Sequence, residues 1–226
     1  MAPSTVYDPY DGNEFGNLEA NLRFLEGTGL LGAGVRALEI GSGRGALLKN
    51  LRTRGVNVIG IEPNEALANE ARPLHGSLPL ARMSGAMLGF PDNAFDLVIS
   101  FDVFEHIADS DTHISEVRRV LRPGGSYALQ TPNKWTNSIF ETIRWRSFTK
   151  WKADHCALHS YWQLKRRFGA HGFDPSFADI PVVNDFYRHK LRRYLGVAAP
   201  PLLAVVNPDR WPIPLRTNFF VVARRM

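Results

Sequence analysis

A short apolar run that breaks into closely spaced glycines constrains this chain more than any other feature. Ala37-Leu38-Glu39-Ile40 reads as a buried strand, and Gly41-Ser42-Gly43-Arg44-Gly45 follows at once. Glycines at such a place let the backbone turn sharply and approach a ligand, while the next helix aims its free amides at that ligand. Ala46, Leu47, Leu48 and Leu51 give the helix its apolar face, and Gly55 ends it. Glu62 follows Gly41 by 21 residues and closes the second strand, Val56–Ile61. A carboxylate at about that distance can accept both hydroxyls of a ribose. Together the two features ask for a cofactor with an adenosine part. Gly41-Ser42-Gly43-Arg44-Gly45-Ala46 also satisfies the dinucleotide pattern G-x-G-x-x-G/A, so a nicotinamide oxidoreductase remains open on these residues alone.

The alternation of apolar runs and helical patterns continues to Gln130, the signature of βαβ units and a parallel sheet. Asn64 caps a helix carrying Ala66, Leu67 and Ala71, and Leu78–Met83 supplies a third strand. Phe95–Phe101 is apolar nearly throughout, as a strand covered on both faces should be. Asp111 is expected to cap a helix with Ile114, Val117, Val120 and Leu121 inward. Arg122-Pro123-Gly124-Gly125 should stop it before a fifth strand, Ser126–Gln130. Ser160 and Gln163 form a capping box for a helix Tyr161–Ala170. Phe173–Val183 and Thr217–Ala223 read as two more strands, and Leu18–Leu30 as a helix ahead of the sheet. The stretches 133–159 and 184–215 are longer than ordinary connections and are expected to be functional insertions.

Charge divides the chain. Residues 1–133 hold 11 Lys/Arg against 16 Asp/Glu, whereas residues 134–226 hold 16 against 6 and all five tryptophans. The first part reads as a cofactor core, the second as the side that meets an acceptor. A basic surface bearing tryptophan suits anionic sugars, lipid headgroups or phosphates. One cysteine, Cys156, excludes an internal disulfide framework and fits a reducing compartment. The first ten residues have neither a basic nor an apolar signal region, so no signal peptide is expected. Leu195–Val206, the longest weakly polar run, is 12 residues with two prolines and too short to span a bilayer.

Four segments in order, ALEIGSGRG (37–45), IGIEPN (59–64), GFPDNAFDLVISFDVFEHI (89–107) and VLRPGGSYALQTPN (120–133), resemble the class I S-adenosylmethionine-dependent methyltransferases, in particular the small-molecule group called type 11. The resemblance is close over 35–133, the cofactor-binding core. It implies one α/β methyltransferase domain over 1–226, with a Rossmann-like, doubly wound, seven-stranded sheet, mostly parallel with an antiparallel last strand. It further implies S-adenosyl-L-methionine as cofactor and S-adenosyl-L-homocysteine as product. By the same resemblance, Glu39 holds the methionine amino group, and Gly41, Ser42 and Gly43 lie under the methionine and ribose. Glu62 takes the ribose diol, Pro63 packs on the adenine, and Phe101 lies near the sulfonium. Ser84, followed by Gly85, stands where the family often has an aspartate for the adenine amino group. A serine there leaves more of adenine recognition to backbone groups.

Transfer to a hydroxyl needs a base. The candidates are Asp102, Glu105, His106, Asp154, His155 and His159, with His106 placed first and His155 second. Asp102-x-x-Glu105-His106 is similar to the E-x-x-E-H of ubiquinone-pathway O-methyltransferases, where it holds magnesium, and to the same pattern in metal-free members. No metal is assigned here. Tyr7 and Tyr10 are candidates for covering the cofactor mouth. The expected function is O-methylation of a small molecule, sugar, glycolipid or secondary metabolite by a cytoplasmic enzyme, with room for peripheral membrane contact and a homodimer. A nucleic-acid methyltransferase is the first alternative, suggested by the basic balance. It is disfavoured because Phe101-Asp102-Val103-Phe104 replaces the D/N-P-P-Y/F motif and no RNA-binding module is evident. The NAD(P)-dependent oxidoreductase is the second alternative.

Overall fold

The computed structural model describes residues 17–153 and 155–226. Among them seven strands form one sheet: β1 (Arg36–Ile40), β2 (Asn57–Ile61), β3 (Leu80–Ala81), β4 (Phe95–Phe101), β5 (Leu121–Pro132), β6 (Phe173–Ala178) and β7 (Asn218–Arg225). The order is β3-β2-β1-β4-β5-β7-β6. β1 to β5 pair in parallel, and β7 lies antiparallel between β5 and β6. This is the expected Rossmann-like, doubly wound, mostly parallel sheet with an antiparallel last strand. Dinucleotide-binding domains run 3-2-1-4-5-6. The wedged antiparallel strand therefore separates this fold from the oxidoreductase alternative.

Among the described residues eight helices accompany the sheet: α1 (Leu18–Thr28), α2 (Ala46–Thr53), α3 (Glu65–His75), α4 (Ser110–Val120), α5 (Lys134–Trp145), α6 (Tyr161–Ala170), α7 (Asp185–Leu195) and α8 (Ala199–Val205). Alternation along each strand sorts the core into two layers. Leu38, Ile40, Val98, Tyr127 and Leu129 pack with Ile114 and Val117 of α4 and Leu164 and Phe168 of α6. Ala37, Val58, Leu97, Ile99 and Ala128 pack on the other face with Phe24 and Leu25 of α1 and Leu47, Leu48 and Leu51 of α2. All these side chains are buried.

Local chemistry explains most boundaries. Asn64 caps α3 through the amides of Ala66 and Leu67, and the Ser160–Gln163 capping box opens α6. Several expectations need correction. α4 is capped by Asp109, which accepts from the Thr112 amide; Asp111 instead pairs with Arg167 and His171. Arg122-Pro123-Gly124-Gly125 does not separate helix from strand, because β5 begins at Leu121 and absorbs these residues where its register with β4 slips. β3 is two residues long, and β6 ends at Ala178. The stretches expected as insertions are largely helical, holding α5, α7 and α8. No helix among the described residues is long and apolar enough to cross a membrane.

Candidate functional site

The carboxyl ends of β1, β2 and β4 converge on the glycine turn. The amides of Gly41 and Ser42 both donate to the carbonyl of Ile61, at 2.8 and 3.0 Å, which locks the turn against the end of β2. Gly41 has φ +75°, and a Cβ there would lie 2.2 Å from a methyl of Val103. Gly45 has φ +86°, and its Cβ would lie 2.7 Å from Leu78. No other residue fits either position without moving the wall of the cleft.

Two carboxylates are buried beneath this turn. Glu62 accepts from the amide of Gly43 at 2.9 Å and from that of Asn64 at 2.8 Å. Glu39 is 4% exposed, and its Oε2 has no hydrogen-bond partner. Burial pushes its carboxyl up to about 8; the Ser42 hydroxyl works against this, and neighbouring Glu62 adds to it. An unpaired buried carboxylate is costly. A cation placed against that oxygen would remove the cost, so the donor set fits the ammonium of S-adenosylmethionine.

The other residues named from the sequence lie toward the same end of the sheet. Pro63 is exposed beside Glu62. Ser84 is exposed, and its hydroxyl accepts from the amide of Ala86 at 3.2 Å, closing a small turn. The carbonyl of buried Gly85 accepts from His113 Nδ1 at 2.7 Å; His113 Nε2 then accepts from the Tyr127 hydroxyl at 2.9 Å, which meets Ser100 Oγ at 2.6 Å. Burial lowers His113 to about 4, so it is a neutral strut from α4 to the turn. Phe101 is half-buried, edge-on to Phe24 at 6.1 Å.

Past β4 the chain enters a second cluster. Asp102 has φ +53°, a conformation costing an L-residue roughly 1–2 kcal/mol. Its amide is held by Gln130, side chain at 3.0 Å and carbonyl at 3.2 Å. Burial raises its carboxyl, opposed by Lys190, Gln130, His106 and His155. Buried Glu105 accepts from Thr131 Oγ1 at 3.1 Å. Exposed His106 reaches Glu105 at 4.0 Å and meets His155 edge-on at 5.0 Å. His155 Nδ1 pairs with the Asn137 amide at 2.9 Å. Metal-capable atoms of Glu105, His106 and His155 lie within 4.8 Å of one another, so the trio gathered in space is not the Asp102, Glu105, His106 set adjacent in sequence.

The remaining candidates fall elsewhere. His159 is buried against Phe104, and burial followed by Arg167 lowers it to about 4, which makes it part of the core. Asp154, Tyr7 and Tyr10 lie outside the described residues. Sequence reasoning missed Gln130, Asn137, Lys190 and His113. Gln130 lies inside the segment 120–133 and Asn137 shortly after it, so both could have been flagged; Lys190 is 88 residues from Asp102 and carried no signal.

Comparison with known proteins agrees with this geometry. A family model described as "Methyltransferase domain" matches residues 38–129. A probable S-adenosylmethionine-dependent methyltransferase of Mycolicibacterium smegmatis is 36% identical over 106 residues, 47% of this chain and 41% of that protein. A ubiquinone biosynthesis O-methyltransferase of Nitrobacter winogradskyi is 26% identical over 200 residues, 84% of this chain and 69% of that one. The chain spans about two fifths of the length of the first curated relatives it matches. The crystal structure of an S-adenosylmethionine-dependent methyltransferase from Mesorhizobium loti superposes with TM-score 0.65 at 20% identity, over 91% of this chain and 98% of that one.

Proposed function

We propose that this chain, whose core is that of the class I S-adenosylmethionine-dependent methyltransferases, binds S-adenosylmethionine over the ends of β1 and β2 and methylates an oxygen of a small acceptor, sugar- or lipid-linked. The observation that carries this reading is the orphan oxygen of Glu39, buried beside Glu62 under the glycine turn. Glu39 holds the methionine ammonium, and Glu62 the ribose hydroxyls. Gly41, Ser42 and Gly43 let the backbone lie under both. Pro63 and the Ser84–Gly85 turn border the adenine, with His113 fixing that turn. Phe101 sits at the sulfonium end.

Bound there, S-adenosylmethionine supplies a methyl group on a cationic sulfur that leaves readily. The protein's own tasks are alignment and proton removal. The stretches 133–159 and 184–215 form the acceptor side and contribute Asn137, His155 and Lys190. His106 takes the acceptor's proton, with Glu105 beside it and His155 at its edge. The likeness to an O-methyltransferase over 84% of the chain supports oxygen as the methylated atom.

Calorimetry on Glu62→Ala tests the cofactor half of this reading. Hydrogen bonds to a charged group contribute roughly 1.5–3 kcal/mol each. Losing one should weaken binding by about tenfold or more. Unchanged affinity would remove Glu62 from the cofactor site.

A further inference from the structure

Helical spacing puts Arg188 and Arg192 on one side of α7 and Lys190, which is felt by Asp102, on the other. On the arginine side, α7, α8 and the 3-10 turn Pro208–Arg210 enclose a cavity of about 330 Å³. Its lining combines Arg188, Arg192 and Arg210 with Val183, Ala199 and Leu203. The three arginines are exposed, and none makes an ion pair among the described residues. Asp209, the nearest acid in sequence to Arg210, already accepts from the amides of Val182 and Val183 at 2.9 and 3.0 Å.

Beside the cavity runs a stretch with no charge at all, Leu195–Val206. Val197 is 96% exposed and Val205 85%, and Leu202 and Val206 are exposed as well. Large apolar side chains this exposed, close in sequence to a basic cavity, suit a surface that something covers. Five Lys/Arg against two Asp over 184–215 make the covering partner anionic. A second copy of this chain does not answer that requirement: a two-fold interface would bring the arginines face to face with no counter-charge. A guanidinium fork matches a phosphate in two hydrogen bonds. Apolar residues projecting beside a basic cavity have the makeup of an interfacial membrane element.

We propose that the α7–α8 face docks on an anionic lipid bilayer, with Arg188, Arg192 and Arg210 clasping headgroup phosphates and Val197 and Val205 entering the acyl boundary. This surface is independent of the methyl-transfer reading and stands whether or not that reading survives.

Co-sedimentation of the full chain with phosphatidylcholine vesicles, with and without phosphatidylglycerol, tests it. The expected result is binding to the anionic vesicles only, weakened by added salt. Each basic residue near such a surface contributes about fivefold, so Arg188→Ala/Arg192→Ala should weaken binding by at least about tenfold. Val197→Ser/Val205→Ser, which leaves the charge unchanged, should weaken it too. Calorimetric binding of S-adenosylhomocysteine at wild-type affinity, or an unchanged circular dichroism spectrum, shows that each variant is folded. Equal binding to neutral and anionic vesicles overturns the proposal, as does indifference to the arginine pair. A site for free anions is the answer if inorganic phosphate displaces the protein from vesicles and the valine variant is silent. A dimer that the valine variant splits, with no vesicle binding, assigns the face to a second copy instead.

Discussion

The cofactor end of the sheet and the α5–α7–α8 side of the molecule are built on opposite plans. Around the glycine turn, backbone amides are tied to Ile61 and Glu62, and the glycines meet side-chain walls that tolerate no Cβ. One buried oxygen, that of Glu39, is left over there. Across the cleft, imidazoles, an aspartate and a lysine meet from segments far apart in the chain, and Trp135, Ile139, Phe148 and Trp162 stand exposed nearby in sequence. A site for a constant cofactor can be fixed in advance by backbone geometry. A site for a particular acceptor is assembled from side chains and leaves surface for a partner to cover.

The largest effect that would sharpen this contrast lies on the acceptor side. General base assistance typically contributes ~10²–10⁴-fold. His106→Ala should therefore cut turnover by at least about a hundredfold and leave cofactor affinity within a few-fold. If His155→Ala carries the loss instead, the base is on the α5 side of the cleft. Activity lost to a chelator and restored by a divalent ion would turn Glu105, His106 and His155 into ligands, and His106 could not then be the free base.

The next effect belongs to the cofactor side and is read in pH. Glu39 must ionise to hold an ammonium, and burial pushes its carboxyl up to about 8. Cofactor affinity should rise by up to about tenfold per pH unit below that value and level off near it, where an α-amino group begins to lose its own proton. The sign for folding is opposite. A carboxyl raised above its unfolded value of 4.5 stabilises the fold below pH 4.5, and this contribution fades as pH climbs to about 8. Glu39→Gln should flatten both profiles, in calorimetry and in thermal unfolding. A cofactor profile unchanged by that variant would place the ammonium elsewhere.

The smallest effect separates the two regions directly. Residues 134–226 carry the basic excess. Raising ionic strength should weaken binding of an anionic acceptor by a few-fold while cofactor binding, set by short buried contacts, stays level. Equal salt responses for the two ligands would break the division.

Legibility follows the same division. Glu39, Gly41, Ser42, Gly43 and Glu62 could be brought together from sequence because their geometry is local: a strand, a turn and a second strand fix where they stand. The cap of α4 was misplaced by two residues because Asp109 and Asp111 are chemically alike; which one caps depends on Arg167 and His171 claiming the other. The β5 start was misread because Pro123 and the two glycines signal a stop. Pairing with β4 tolerates them at a slip in register.

By itself, then, the amino-acid sequence determined the order of the strands, the helices α1 to α4 and α6, the glycine turn and the acidic residue that answers it. Periodicity and backbone sterics act over a few residues and need no partner. Only the tertiary structure decided that β7 wedges between β5 and β6, that His155 rather than Asp102 joins Glu105 and His106, and that Lys190 comes within electrostatic reach of Asp102. Those outcomes rest on contacts between residues tens of positions apart, which exist only once both layers of the core have closed on the sheet.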